Sequence, residues 1–177
     1  MRETSYLGKI KMFKLNLKKT LLNFIFISAI FLIDRISKIY ILKIAEDEGA
    51  VDIYFTTYLN FYLIWNRGIA FGLLSFNESI IYNIITSIIA IISIVILTMI
   101  AKSEGFQKYA LLFIFGGAIS NLFDRIYYSA VPDFIDFHIN DFHWFIFNVA
   151  DIFITLGIIC LIFDEIFLNN KKNEKIV

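Results

Sequence analysis

Two aspartates lie beside apolar segments that are long enough to cross a membrane. Asp133 follows Pro132, and Asp151 lies three residues after Asn148. A carboxylate next to hydrocarbon loses part of its hydration, so an acid in such a place indicates a functional site. Two carboxylates held close together share one proton. One of them can then take a proton from water while the other donates to a carbonyl oxygen, so the pair predicts peptide-bond hydrolysis without a covalent intermediate.

Other polar residues leave the identity of the acid pair open. Asp34 and Lys38 are four positions apart, so they share a helix face and can neutralise each other. Asn121 and Asp124 are three positions apart and share another face, followed by Arg125. Asp124 is therefore a third candidate for the pair. The alternative is that each acid pairs with a cation such as Lys38 or Arg125 and has only a structural role.

Two histidines raise the question of a metal site. His138 and His143 are five positions apart, with Asp136 and Asp141 alongside, in what we expect to be an outer loop. The signal is weak, because the His-Glu-x-x-His pattern of a helical zinc site is missing from the sequence. We expect no metal and no cofactor.

The composition predicts the elements that must position these residues. Of 177 residues, 59% are hydrophobic, well above the share in a soluble domain. The apolar residues run for about twenty positions at a time, which is the length that a transmembrane helix needs. Four spans are predicted, over residues 21–42, 80–101, 109–130 and 144–168, in a single domain covering 1–177.

The charges predict the orientation of these spans. The formal net charge is zero, so nucleic acid is not expected as a partner. Basic residues concentrate at three places: Arg2, Lys9, Lys11, Lys14, Lys18 and Lys19; then Lys102 and Lys108; then Lys171, Lys172 and Lys175. The positive-inside rule then places both termini on the cytoplasmic side. Asp133 and Asp151 would both lie in the outer leaflet, with Pro132 ending the third helix and Asp151 about 10 Å below the outer surface.

The outer connection 45–79 has a composition of its own. Residues 51–65 are rich in Ile, Tyr, Phe and Thr, which favours a small sheet at the headgroup level. The turn from Asn66 through Gly68 to Gly72 carries an amide and the guanidinium of Arg67 beside two glycines. Such a turn suits the holding of a peptide backbone.

Five motifs in order resemble those of the bacterial lipoprotein signal peptidase family, also called signal peptidase II. They are Asp34-Arg-Ile-Ser-Lys38, Asn66-Arg-Gly-Ile-Ala-Phe71, Gly116-Gly-Ala-Ile-Ser-Asn121-Leu-Phe-Asp124-Arg125, Val131-Pro-Asp133-Phe134 and Phe147-Asn148-Val-Ala-Asp151. The resemblance covers about residues 34 to 151. The basic N-terminal extension of about 20 residues lies outside the resemblance, and we assign no function to it.

The resemblance implies an aspartic endopeptidase that is sensitive to globomycin and lies in the bacterial inner membrane. It would remove signal peptides from diacylglyceryl-modified prolipoproteins, just before the lipidated cysteine, at the outer leaflet. By position, Asp133 and Asp151 inherit the catalytic roles. The supporting or substrate-facing positions are Asn66, Gly68, Asn121, Arg125 and Asn148, and the structural polar positions are Asp34, Lys38 and Asp124.

The expected architecture is an all-α membrane protein with four transmembrane helices and a small β-rich segment between the first two. We expect a monomer in contact with membrane lipid. Three other classes remain open from the residues alone: a proton-coupled transporter, a non-enzymatic assembly factor and a zinc-dependent hydrolase.

Overall fold

Along the chain, one helix is followed by two strands, two helices, two strands and a final helix. The structure, a computed structural model, describes residues 2–68, 78–140 and 142–169. Within them the elements are α1 Arg2–Glu48, β1 Asp52–Thr56, β2 Leu59–Asn66, α2 Glu78–Lys102, α3 Gly105–Tyr128, β3 Val131–Ile139, β4 Phe142–Phe147 and α4 Val149–Phe163. A π-helical stretch, Asp164–Asn169, continues α4.

Two of the four expected spans are supported by length and composition. The stretches Ile80–Lys102 in α2 and Gly105–Tyr128 in α3 are long and apolar enough to cross a membrane. The expected span 21–42 lies inside α1, where charged side chains interrupt the apolar run. The expected span 144–168 begins in β4, and its α-helical part is only 15 residues long. Four spans are thus not established by the helices alone.

A four-stranded antiparallel sheet in the order β1-β2-β3-β4 covers one end of the helices. The expected sheet in segment 45–79 is confirmed as β1 and β2, but β3 and β4 come from residues 131–147. The fold class is therefore mixed helix and sheet, not all-α. The first six residues of β3 are all buried, so they lack the alternating pattern that marks a half-exposed strand in a sequence.

The end of α3 also differs from the expectation. The helix ends at Tyr128, and Ser129 adopts the left-handed conformation with φ 57°. Pro132 lies within β3 opposite Trp65, so it does not end the helix, although it directly precedes Asp133. The ladder tolerates a strand proline only where its missing N–H is not needed.

Close packing brings α4 against α3. A Cβ atom on Gly117 would lie 2.5 Å from the carbonyl oxygen of Ala150, so only glycine permits this approach. At the other end of the contact, a Cβ atom on Gly157 would lie 2.6 Å from the carbonyl oxygen of Ala110. Small residues of this kind let helix backbones approach inside a membrane. The first turn of α4 is therefore fixed against the middle of α3.

Candidate active site

Asp133 is a buried acid held by two asparagines. It lies near the start of β3, and only 2% of the residue is exposed. Asn148 donates from Nδ2 to Oδ1 of Asp133 at 2.6 Å, and Asn66 donates from Nδ2 to Oδ2 at 2.9 Å. The β2–β3 pairing positions Asn66, since Asn66 lies opposite Val131 at the end of β2.

Asp151 lies in the first turn of α4. Asn148 is the N-cap of this helix, and the two residues form a capping box: Asn148 Oδ1 accepts from the Asp151 N–H, and the Asn148 N–H donates to Asp151 Oδ2, both at 3.1 Å. Asn121 donates from Nδ2 to Asp151 Oδ1 at 2.8 Å. Asp151 is therefore in the first turn of α4, not about seven residues into a helix as the expected span implied.

Asn148 joins the two acids. This fully buried residue donates to Asp133 with its side chain and to Asp151 with its backbone. Each of the four carboxylate oxygens accepts one hydrogen bond from an asparagine. Among the described residues no lysine or arginine forms an ion pair with either acid. The net charge of Asp133 and Asp151 therefore changes with the protonation of their carboxyl groups.

The environment shifts the proton affinity of Asp133. Burial raises the pKa of its carboxyl from the ordinary 3.8 to about 6, and the charge of Asp151 acts in the same direction. Hydrogen bonds from Asn148 and Asn66 favour the ionised form and oppose the rise in pKa. Asp133 can therefore gain or lose a proton close to neutral pH, as an acid–base group must.

The third candidate acid, Asp124, belongs to an ion cluster between α1 and α3. Lys38 Nζ lies 2.7 Å from Asp34 Oδ2 and 2.6 Å from Asp124 Oδ2. Arg35 pairs with the other oxygen of Asp124. Two cations thus pair with two buried acids. The three residues expected to have a structural role, Asp34, Lys38 and Asp124, lie together in this cluster.

This cluster contacts the acid pair through two hydrogen bonds. Lys38 donates to Asn121 Oδ1 at 2.9 Å, which leaves the Asn121 amide nitrogen facing Asp151. Asp34 Oδ1 accepts from the Ala150 N–H at 2.8 Å, in the first turn of α4. The salt-bridged residues therefore orient groups around Asp151 without contacting it.

Arg125 is not paired with an acid among the described residues. Its Nη2 donates to the Gly68 carbonyl at 3.3 Å, and its guanidinium lies 5.5 Å from the centre of the Tyr82 ring. The Tyr82 hydroxyl donates to the Arg125 carbonyl at 2.6 Å. Sequence reasoning missed Tyr82, because a tyrosine at the start of an apolar span resembles any interfacial aromatic residue. The rest of the expected turn, residues 69–72, lies outside the described residues.

The two histidines lie in strands. His138 is in β3 and His143 in β4, where they are cross-strand neighbours, so the expected outer loop at this place is wrong. His143 Nδ1 lies 2.8 Å from Asp136 Oδ2. Asp141 lies outside the described residues.

The chain thus combines apolar helices with a pair of buried carboxylates held by amides. The sequence profile of the signal peptidase (SPase) II family matches residues 26–167. The chain belongs to this peptidase family, as its motifs predict.

Relatives agree over nearly the whole chain. A lipoprotein signal peptidase of Pelagibacter ubique is 57% identical over 163 residues, covering 92% of this chain and 98% of the relative. Another, of Anaplasma phagocytophilum, is 35% identical over 159 residues, covering 89% and 99%. A solved structure described as a bacterial membrane enzyme has a TM-score of 0.63 at 26% identity, covering 85% of this chain and 90% of that one.

Proposed function

We propose that this chain is an intramembrane aspartic endopeptidase that removes signal peptides from diacylglyceryl-modified prolipoproteins, cutting before the lipidated cysteine. Asp133 and Asp151 are its catalytic residues. The observation that carries this assignment is the contact of Asn148 with both carboxylates. Asp34 and Asp124, in contrast, each form an ion pair with a cation of α1.

The reaction uses one proton shared by the pair. The ionised carboxylate takes a proton from water, and the resulting hydroxide attacks the scissile carbonyl carbon. The protonated carboxyl donates its proton to the carbonyl oxygen as that oxygen becomes negative. The C–N bond then breaks, the proton taken from water passes to the leaving amine, and a hydroxyl of the tetrahedral intermediate returns its proton to the other carboxylate as the carbonyl re-forms. Asn66, Asn121 and Asn148 orient the two carboxyl groups.

Arg125 and Gly68 support the substrate rather than the acids. Arg125 Nε and Nη1 are buried and have no hydrogen-bond partner among the described residues, and its Nη2 contacts the Gly68 carbonyl. Guanidinium N–H groups are suitable donors to a peptide carbonyl or a lipid phosphate. Arg125 therefore contacts substrate in this proposal, and Gly68 begins the turn beside it.

The membrane orientation follows from charge and helix direction. Lys102 ends α2 just before α3 begins, whereas Asp133 follows the opposite end of α3, which is about 36 Å long, and Asp151 contacts Asn121 in the last two turns of α3. With the basic link on the cytoplasmic side, both acids face the outer leaflet. The proposal is a monomeric, multi-pass enzyme of the bacterial inner membrane with both termini in the cytoplasm, in contact with lipid.

Two isosteric substitutions test the proposal. Asp133→Asn and Asp151→Asn each remove one carboxylate, so each should abolish cleavage of a diacylated precursor peptide, a loss of at least about a thousandfold. Gel mobility of the peptide, incubated with purified protein in detergent, measures this loss.

The matched control is Asp52→Asn, an exposed aspartate of β1 in the same sheet. It should cleave at the wild-type rate, and globomycin should inhibit that cleavage. Full cleavage by either active-site variant, at normal accumulation in the membrane, would rule out the assigned dyad.

A further inference from the structure

We propose that Asp136, His138 and His143 bind one zinc ion at the β3–β4 hairpin. Their ligand atoms all lie within 4.8 Å of one another. The site is separate from the acid pair and does not depend on the proposed peptidase activity. Its role is structural: it ties β3, which carries Asp133, to β4, which ends directly before Asn148.

The strand register brings the three side chains to one place. Asp136 and His138 are two positions apart in β3, so they face the same side of the sheet. On β4, the pairing shifts from Phe137 opposite Phe145 to His138 opposite His143, so Trp144 is an extra residue. Such a bulge re-aims the following side chain, and here it turns His143 towards Asp136.

The two separations that involve Asp136 Oδ2 are near those of tetrahedral zinc. Bonds of about 2.0 Å to nitrogen and oxygen place neighbouring ligand atoms about 3.3 Å apart. His143 Nδ1 lies 2.8 Å from Asp136 Oδ2, and His138 Nδ1 lies 3.5 Å from the same oxygen. Two imidazoles and a carboxylate also form a ligand set that favours zinc over magnesium or calcium, which prefer oxygen alone.

Unpartnered buried atoms provide an independent reason. The side chain of Asp136 is 3% exposed and that of His138 is 10% exposed. Oδ1 of Asp136 and Nδ1 of His138 nevertheless have no hydrogen-bond partner among the described residues. Buried polar atoms without partners are rare in folded proteins, and a cation bound at Asp136 Oδ2 would satisfy Nδ1 of His138, 3.5 Å away. His143 is 58% exposed, so the fourth position is open to water.

Zinc bound here would act on the acid pair only through the strands. Asp136 follows Asp133 by three residues in β3, and the pairing of Ile135 with Phe147 ends β4 directly before Asn148. A bridge between the strands therefore stabilises the hairpin that holds Asn148 against Asp133.

Titration of the full chain with zinc tests the proposal. The protein is purified with a tag that contains no histidine, stripped with a chelator and titrated with zinc chloride by calorimetry. Wild type should bind about one zinc per chain and unfold at a higher temperature with zinc. His143→Gln, at an exposed position where folding is not at risk, should bind at least about tenfold more weakly and show no thermal shift.

Asp52→Asn is the matched control and should bind zinc as wild type does. Magnesium in place of zinc should give no saturable binding. Equal zinc affinity of His143→Gln and wild type, or no saturable zinc binding to wild type, would overturn the site and leave a His143–Asp136 hydrogen bond only. Because none of these measurements uses peptide cleavage, their failure is distinct from failure of the proposed peptidase.

Discussion

Asn148 shows how single residues decide the chemistry of buried acids. Its side-chain amide contacts Asp133 and its backbone N–H contacts Asp151, and neither donor carries a charge. A lysine in its place would keep both carboxylates ionised. Neutral donors orient the acids and leave them able to exchange a proton. The contrast with Asp124, which contacts both Lys38 and Arg35, is one of charge and not of burial.

The raised pKa of Asp133 predicts a pH-dependent loss of stability. Its folded-state pKa of about 6 exceeds the ordinary 3.8, so the folded protein binds the proton more tightly than the unfolded chain. Protonated Asp133 therefore stabilises the folded protein below about pH 4, and this contribution is lost as pH rises through about 6. Between pH 4 and 7, wild type should lose about 2 kcal/mol more unfolding free energy than Asp133→Asn.

Thermal unfolding in detergent at several pH values measures the difference between the two proteins. Asp52→Asn serves as the control and should follow wild type, since Asp52 is exposed. Parallel pH curves for wild type and Asp133→Asn would contradict the raised pKa.

Replacement of Lys38 tests how much a buried cation contributes to stability. Lys38→Met leaves Asp34 without its 2.7 Å partner and Asp124 with Arg35 alone. Breaking a buried pair in this way costs about 3–5 kcal/mol. Peptide cleavage should fall as well, because Asn121 loses the donor that orients its amide towards Asp151.

Thermal midpoint and cleavage rate are measured beside Lys43→Met, an exposed lysine of the same helix that should behave as wild type. An unfolding temperature equal to that of Lys43→Met would show that the ion cluster contributes nothing to stability.

At the scale of elements, the contact between α3 and α4 positions Asp151. Asn121 on α3 reaches Asp151 on α4, and Gly117 allows the backbones to approach one turn away. The N-cap at Asn148 fixes where α4 begins, and therefore which residue occupies the third position of its first turn. Helix packing and helix capping thus place the same carboxylate independently.

Gly117→Ala tests this contact. Its Cβ would lie 2.5 Å from a backbone oxygen and 2.7 Å from Ile154 Cγ1, so α4 must shift. Overpacking of this kind costs about 1–3 kcal/mol, and the shift should lower the cleavage rate by separating Asn121 from Asp151. Gly116→Ala is the comparison, because the atoms nearest to its Cβ would be side-chain atoms of Ile30 at 3.0 Å and not a backbone oxygen. Equal stability and activity of both variants would argue against a backbone constraint at Gly117.

At the scale of the molecule, the sheet assembles the site from distant parts of the chain. Strands β2 and β3 pair residues that are about seventy positions apart and bring Asn66 to Asp133. The end of α1 packs on the same sheet through Ile41, which shares a buried cluster with Phe134 and Ile135. The sheet therefore connects the first helix to the acid pair as well as covering it.

The proposed membrane orientation predicts which of two introduced cysteines, on opposite sides of the membrane, an impermeant reagent can label. In a Cys160→Ala background, Asn140→Cys at the hairpin should react with a membrane-impermeant maleimide in intact spheroplasts. Glu104→Cys, between α2 and α3, should react only after permeabilisation. Both positions are exposed on the protein, so access is decided by the membrane side. Labelling of Glu104→Cys in intact cells would reverse the orientation.

Local sequence patterns determined the family, the apolar stretches of α2 and α3, and the polar residues that the site uses. Asp133, Asp151 and the asparagines stand in short motifs, and hydropathy is a property of consecutive residues. The same patterns failed at β3, because a strand buried on both faces has no alternation, and at Ser129, whose left-handed conformation ends α3 before Pro132.

Only the tertiary structure decided which partners the buried acids have on other elements. Asp34 and Asp124 are buried, as Asp133 is. Asp124 differs from Asp133 because it contacts Lys38 of α1, which is 86 positions away in the sequence. Asp34 also accepts a hydrogen bond from Ala150, 116 positions away. Spacing within α1 predicted the pair of Asp34 with Lys38, but partners on other elements depend on which groups the packed helices bring within about 3 Å.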